Sequence, residues 1–390
     1  SVQSVGMLAP LLCLLHSVVS LSLRRSPILA PVRAPRVLPY LAATQPLNLA
    51  VFSARPYMRT QMECWSAKFS SVKMIEASLS PVTASLANGC DAVCAFVNDD
   101  CGAETLEALA ACGVGCVAMR CAGYDRVDLS MAESLGIVVL RVPAYSPHSV
   151  AEHAVALMMA LNRQIVKASA RVAQGNYALS GLVGFDMHGK TCGIIGTGLI
   201  GRCTAAILLG MGCRVLAYDP FPNQTARDMG IEYVELEELL ASSRVISLHC
   251  PLTDETRHLI NKHTISLLKP GAMIINTSRG GLLDTAAAVE GLDSRKIGAL
   301  GMDVYEEEGG LFFTDSSITS DDLAGASTPE DWDPVLGALA SRPNVLVTPH
   351  MAFLTADALE AIAEVTAENL AEFVASRHDP SLTFTNQVLP

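Results

Sequence analysis

Two doubly wound α/β domains, the first of them discontinuous, are what this chain of 390 residues predicts. Three observations carry that prediction. Short apolar runs alternate with helical stretches along most of the chain, the pattern of parallel strands joined by crossover helices. A glycine-rich turn, Gly196-Thr197-Gly198-Leu199-Ile200-Gly201, directly follows one apolar run and opens a helix. The final helix, about Thr355 to Ala375, has to return to the first lobe, which otherwise lacks closure.

The first stretch stands outside this pattern. Up to Thr60 it carries Arg24, Arg25, Arg33, Arg36, Arg55 and Arg59 and no acid, and six prolines fall between Pro10 and Pro46. Proline at that density forbids a regular packed element. A basic, serine-containing, acid-free leader reads as an organelle transit peptide, disordered and removed on import, for a plastid or mitochondrial matrix. A secretory signal over Leu11 to Leu23, or an extension retained in the cytoplasm, are the other readings; the arginines follow the apolar run instead of preceding it. The apolar run Met7 to Leu23 is broken by Pro10, His16 and serines and falls short of a spanning helix. A net charge of −12 and a pI near 5.2 argue against a nucleic-acid surface and favour a small-molecule partner.

The first lobe opens with a strand at Leu47 to Phe52, and the runs Asp91 to Val97 and Gly115 to Arg120 continue it around helical stretches such as Ala103 to Ala111. Six of the twelve cysteines, Cys90, Cys94, Cys101, Cys112, Cys116 and Cys121, crowd this region. None makes a Cys-x-x-Cys pair and no histidine lies among them, so no metal is expected. In settings such as Ala92-Val93-Cys94-Ala95 they read as small, reduced core hydrophobes.

Pro147 starts a long helix, apolar nearly all round from Val150 to Leu161 and therefore buried. After a connection over Gly175 to Gly189, Thr191 to Ile195 leads into the glycine turn. There the first glycine permits the tight turn, the second lets backbone approach a pyrophosphate, and the third lets helix pack on strand. Asp219 lies 18 positions beyond Gly201, after Arg214 to Tyr218. A carboxylate there accepts from ribose hydroxyls and repels a 2′-phosphate, and Pro220-Phe221-Pro222-Asn223 offers no cation to hold one. Strand, turn, helix, strand and acid in that order point to NAD.

Further strands are expected at Val245 to Leu248, Ala272 to Ile275, Ile297 to Met302 and Asn344 to Val347. Three chemically useful residues leave three of them: Arg279 in Asn276-Thr277-Ser278-Arg279-Gly280, Glu308 after Met302-Asp303-Val304-Tyr305-Glu306-Glu307, and His350 in Val347-Thr348-Pro349-His350. Reversible carbonyl reduction needs such a set: an arginine to clamp a carboxylate, a histidine to exchange the proton, and a glutamate to orient the histidine and favour its charged form. Singly, each has an ordinary reading, as a surface charge, part of an acidic loop run, and a polar residue near a helix.

From about Leu47 to the C-terminus the chain resembles the D-isomer-specific 2-hydroxyacid dehydrogenases, most of all their fermentative D-lactate branch. Besides the segments already quoted, Phe96-Val97-Asn98-Asp99-Asp100, Arg120-Cys121-Ala122-Gly123, Val142-Pro143-Ala144-Tyr145-Ser146-Pro147 with Ala151-Glu152-His153, Ser247-Leu248-His249-Cys250-Pro251-Leu252-Thr253 and His350 to Thr355 carry the likeness. The resemblance implies two Rossmann-like domains, a substrate domain of 47–147 with 351–390 and an NAD-binding domain of 148–350, behind the leader 1–46. It implies Arg279, Glu308 and His350 as the catalytic residues, with His350 as proton donor and Glu308 preferred to Glu306 or Glu307 because it stands five residues after Asp303. Ala122 and Gly123 through their backbone, and Tyr145 through its hydroxyl, would seat the substrate together with Arg279. Gly196, Gly198, Leu199, Ile200 and Gly201 would meet the pyrophosphate, Asp219 the ribose, Cys250, Pro251 and Thr256 the adenosine half, and Thr277, Ser278 and Asp303 the nicotinamide. His153 reads as part of the interdomain helix and His249 as a sheet-edge residue.

The implied activity is reversible, NADH-dependent reduction of pyruvate to D-lactate. The alternatives are another small 2-oxoacid reductase, for glyoxylate or hydroxypyruvate, and an NAD-sensing corepressor-like binding protein. A homodimer or homotetramer is implied, with an arm around Ala168 to Lys190, and neither nucleic acid nor membrane is an expected partner. Thr314 to Pro343 is longer than the branch implies; a solvated loop is the expectation, and a lid over the site mouth the alternative.

Overall fold

The computed structural model describes residues 45–309, 311–313, 333–379 and 381–390. Nearly all of the expected leader, and residues 314–332 of the expected insertion, lie outside the described residues. Two all-parallel sheets organise the rest. The first takes β1 (Gln45–Val51), β2 (Phe69–Met74), β3 (Ala92–Ala95), β4 (Cys116–Met119) and β5 (Val138–Arg141) in the order β2-β1-β3-β4-β5. Its inner strands are buried on both faces, which is why Ala92-Val93-Cys94-Ala95 and Cys116-Val117-Ala118-Met119 read as unbroken apolar runs. Strands β2 and β5 flank that core. On β2 burial alternates roughly along Phe69-Ser70-Ser71-Val72-Lys73-Met74, and the sequence reading passed it over.

One face of this sheet packs Leu47, Leu49, Trp65 and Phe69 against Leu359, Ile362, Leu370 and Phe373. The last four belong to the helix Ala356–Ser376, capped by the Thr355 hydroxyl, and Trp65 Nε1 donates to Ala363 O at 3.2 Å. The C-terminal helix therefore does close the first sheet. The other face is filled by Phe52, Leu106, Leu109 and Met119. Cys94 and Cys116 sit in these cores as small hydrophobes.

The second sheet takes β6 (Thr191–Ile195), β7 (Arg214–Tyr218), β8 (Glu232–Tyr233), β9 (Val245–Leu248), β10 (Ala272–Asn276), β11 (Ile297–Met302) and β12 (Val345–Val347) in the order β12-β11-β10-β9-β6-β7-β8. The strand order reverses between β6 and β9, and ligands of doubly wound sheets bind outside the carboxyl ends of strands at such a point. The helix Pro147–Asn162 covers one face through Ala154, Leu157, Met158 and Leu161. Ser146 caps it and Pro147 occupies its first turn, where a missing N–H costs nothing. Its start reaches the opposite lobe, Ser149 Oγ donating to Ala352 O at 2.9 Å. Among the described residues no helix is long and apolar enough to cross a membrane.

His249 is not at a sheet edge. It follows β9, which lies between β10 and β6 in the middle of the sheet, so its side chain is delivered to the cleft. Local sequence marks strands but not their order, and the order decides this position.

Candidate active site

The carboxyl ends of both sheets line one cavity of about 120 Å³. Phe96 follows β3, the Cys121-Ala122-Gly123 segment follows β4, and Tyr145 follows β5; from the second sheet come Ile200, Thr277, Arg279, Asp303 and His350. Arg279, His350 and Tyr145, from three separate stretches of sequence, thus meet around one space.

Arg279 is placed by the turn after β10. Asn276 staples that turn: its Nδ2 donates to Arg279 O at 2.8 Å, and its Oδ1 accepts from Ser278 N at 3.1 Å. Gly280 lets the turn slide beneath the exit of β11, since a Cβ there would overlap the Tyr305 carbonyl. The guanidinium donates through Nε to Asp125 Oδ2 at 2.9 Å and through Nη1 to Ser278 O at 2.8 Å.

His350 sits in the left-handed region at φ 53°, a strained conformation for a non-glycine residue and one often found at functional sites. Its Nδ1 is 2.9 Å from Glu308 Oε1, and Glu308 Oε2 accepts from Tyr305 N at 3.1 Å. Both side chains are only 15% exposed. Phe313 lies against the imidazole at 5.6 Å between ring centres, and Phe96 meets Phe313 edge-on at 5.0 Å, so aromatic rings wall this side. Of the three consecutive glutamates, Glu308 reaches His350. Glu306 faces away to His258 Nε2 at 2.6 Å and to the Thr285 hydroxyl, and Glu307 is exposed.

Asp303, fully buried, anchors the segment that carries His350. It accepts from Thr348 Oγ1 at 2.6 Å, Met351 N at 2.9 Å and Ala352 N at 2.8 Å. His153, on the helix Pro147–Asn162 as expected, adds its Nε2 at 3.1 Å from Thr348 Oγ1 and 3.3 Å from Asp303 Oδ1. The sequence reading missed this junction, as it missed Asp125. Neither residue sits in a motif whose spacing signals its partner.

The dinucleotide turn has the form its residues imply. Gly196 adopts φ +93°, and a Cβ there would lie 2.6 Å from Cys250 N; one on Gly201 would overlap Gly196 O. Around Gly198 the space is open, and no side chain caps the helix Leu199–Gly210 that it begins. Free N–H groups at a helix N-terminus favour a phosphate. Asp219, at the end of β7, is held towards the turn by Thr197 N at 2.6 Å and Thr197 Oγ1 at 2.8 Å, while its other oxygen accepts from Phe221 N at 2.9 Å. Thr277 Oγ1 is buried on the cavity wall without a hydrogen-bond partner among the described residues, and Ser278 Oγ is turned to Cys250 O at 2.7 Å. An open glycine approach, an uncapped helix start and an orphaned hydroxyl together fit NAD.

Of the remaining expected positions, Ala122, Gly123 and Tyr145 face the cavity. Burial pushes the Tyr145 phenol up to about 12, so it stays a donor at neutral pH. Cys250 is buried beside the turn and its thiol is pushed up to about 11 by that burial. Thr256 is spent within its own loop, donating to Pro251 O at 2.7 Å and accepting from Thr253 N at 2.8 Å, and does not line the cavity.

Such a cleft belongs to a two-lobed, NAD-dependent oxidoreductase. Comparison with known proteins narrows the class. Residues 155–352 match the family model described as D-isomer specific 2-hydroxyacid dehydrogenase, NAD binding domain. The D-lactate dehydrogenase of Escherichia coli is 48% identical over 328 residues, covering 83% of this chain and 96% of that one. The pyruvate reductase of Chlamydomonas reinhardtii superposes with a TM-score of 0.80 at 48% identity, covering 86% of this chain and 98% of that one. The D-lactate dehydrogenase of Aquifex aeolicus, complexed with NAD and lactic acid, gives 0.74 at 32% identity over 88% of this chain and 99% of that one. The chain belongs to the D-isomer-specific 2-hydroxyacid dehydrogenase family.

Proposed function

We propose that this protein reduces pyruvate to D-lactate with NADH, reversibly, in the cavity between its two sheets. The observation that carries the reading is the convergence of Arg279, Tyr145 and the His350–Glu308 pair on that one space. The chemistry NADH would supply when bound is a hydride for the carbonyl carbon. Arg279 holds the substrate carboxylate through its planar fork, with the Gly123 backbone and the Tyr145 hydroxyl beside it. Because Nδ1 of His350 is engaged by Glu308, its Nε2 is the nitrogen left to give the carbonyl oxygen a proton, and to take it back in lactate oxidation. Phe96, Phe313 and Phe353 exclude water from this side of the ring. Gly196, Gly198, Leu199, Ile200 and Gly201 would hold the pyrophosphate and Asp219 the adenine ribose. Cys250 and Pro251 would border the adenosine half, and Thr277, Ser278 and Asp303 the nicotinamide end.

On this reading the first sheet, with residues 47–147 and 351–390, is the substrate domain and 148–350 the NAD-binding domain. The assembly is a homodimer or homotetramer. The arm that would pair, around Ala168 to Lys190, carries Val172, Tyr177, Leu179 and Val183, with Tyr177 75% and Val183 91% exposed. The basic, acid-free leader supports an organelle matrix, plastid or mitochondrial, as the compartment.

The test is initial-rate kinetics with NADH on a panel of pyruvate, glyoxylate, hydroxypyruvate and larger 2-oxoacids. Pyruvate should give the highest kcat/KM. A clear preference for another member moves the substrate assignment, and turnover of none favours a binding protein. Arg279→Gln should cost on the order of 2–5 kcal/mol in kcat/KM for pyruvate while NADH affinity barely changes. Near-normal kcat/KM would remove Arg279 as the anchor.

A further inference from the structure

Arg279 is met from across the cleft by an acid with no part in the activity described above. Its Nε donates to Asp125 Oδ2 at 2.9 Å, and its Nη1 donates to the Ser278 carbonyl at 2.8 Å. A guanidinium carries five N–H donors in a rigid fork. These contacts leave one proton on Nη1 and both on Nη2. Nη2 lies so close to Gly123 that a Cβ on that residue would overlap it, and Gly123 lines the cavity.

The two side chains differ in length, and each springs from a held turn. Among the described residues, the Arg279 side chain is tethered, apart from Asp125, by the carbonyl of the residue before it. The Asp125 loop is pinned at several points. Arg141 Nη1 donates to Ala122 O at 2.8 Å, and the same guanidinium covers the Tyr124 ring at 4.9 Å. Cys101 N donates to Arg126 O at 3.1 Å, and Asp128 N donates to Cys101 O at 3.1 Å. Asp125 thus extends a short side chain from a loop held at several points, and the longer, more flexible arginine side chain is what it places.

We infer that Asp125 is a positioning residue for Arg279: by engaging Nε it turns the Nη1–Nη2 end of the fork to the carboxylate of a 2-oxoacid. This rests on the proposed role of Arg279 as the carboxylate anchor. Without Asp125 the guanidinium swings about its flexible stem, and the two parallel bonds to the substrate form in a smaller fraction of molecules. Misplacement of a positioning group costs rate without any loss of fold.

The experiment is steady-state kinetics of Asp125→Ala and Asp125→Asn, alone and combined with Arg279→Gln, on whichever 2-oxoacid the wild type turns over fastest. NADH titration by fluorescence and thermal melting establish that each variant is folded and binds cofactor. Asp125→Ala should lose about three- to tenfold in kcat/KM, mainly through a raised KM, the worth of a half-exposed charge-assisted hydrogen bond. Asp125→Asn keeps an acceptor oxygen and should recover most of that loss. In the Arg279→Gln background, Asp125→Ala should cost nothing further, because the group it places is gone. Wild-type kcat/KM in Asp125→Ala overturns the inference, as does a lowered KM with kcat intact, which would make Asp125 a competitor of the substrate. Asp125→Asn as impaired as Asp125→Ala, or additive losses in the double variant, also overturn it. If the wild type turns over no 2-oxoacid, the functional reading falls together with this one; if it does and the variants match it, only this one falls.

Discussion

His350 and His258 each sit against a glutamate of one short acidic run, Glu308 at 2.9 Å and Glu306 at 2.6 Å, and each holds a left-handed backbone, at φ 53° and 52°. Bond length and backbone strain therefore do not separate them. What does is the nitrogen used and the space it leaves. His350 is bonded through Nδ1, so Nε2 is left over, and its ring lines the cavity with Arg279 and Tyr145. His258 spends Nε2 on Glu306, stands 39% exposed, and lines no part of that cavity. A third histidine, His249, reaches the same cavity, but among the described residues its ring is bonded to the Ser247 hydroxyl at 2.9 Å and to no carboxylate, and burial holds its pKa down to about 4. On the proposed mechanism, an imidazole would serve as the acid–base group when a carboxylate supports one nitrogen and the other faces the cavity, a pair of conditions that His350 meets and His258 and His249 do not.

The comparison breaks first at His350. His350→Gln should lose roughly 10²- to 10⁴-fold in kcat for both reduction and oxidation, the usual worth of a positioned acid–base group, with NADH binding retained. A loss below tenfold would show that His350 is not the proton donor. Glu308→Gln keeps the shape and an acceptor oxygen but removes the carboxylate charge beside the ring, and a loss of about tenfold in kcat is expected. Glu306→Gln, measured beside it, should stay within about twofold. If the two glutamates exchange these outcomes, the pairing seen here does not operate in turnover.

His258→Gln should leave kcat/KM within about twofold and lower stability by no more than about 1 kcal/mol, the range for a partly exposed ion pair. Activity falling well beyond that would bring the second pair into the mechanism. The last test concerns His249, whose pKa falls from the ordinary 6.5 to about 4 in the folded chain. Between those values the unfolded chain takes up a proton that the folded one refuses, so this component of stability is lost as pH falls through the window. Melting temperature followed between about pH 7 and 4 should drop less steeply in His249→Gln than in the wild type. Parallel curves would mean that His249 takes up its proton in the fold at the same pH as in the unfolded chain.

Sequence alone determined the fold class, most of the strands and the candidate site residues because those are marked by local properties. The apolar runs that became β3, β4, β9 and β10 are legible since inner parallel strands bury both faces. The Gly196 turn is legible since only glycine tolerates both its φ of +93° and its approach to Cys250. Arg279, Glu308 and His350 stood out because each leaves the carboxyl end of a strand. Tertiary structure decided which of these groups touch. Glu308 meets His350 because β11 and β12 are neighbours in register, Met302 opposite Val347, which sets their two exits side by side. Asp125 reaches Arg279 across 154 positions, and His153 reaches Thr348 across 195. His249 faces the cavity because β9 is an inner strand. Strand order and the facing of two lobes are set by the packing of distant segments, and no period or spacing within a segment encodes them.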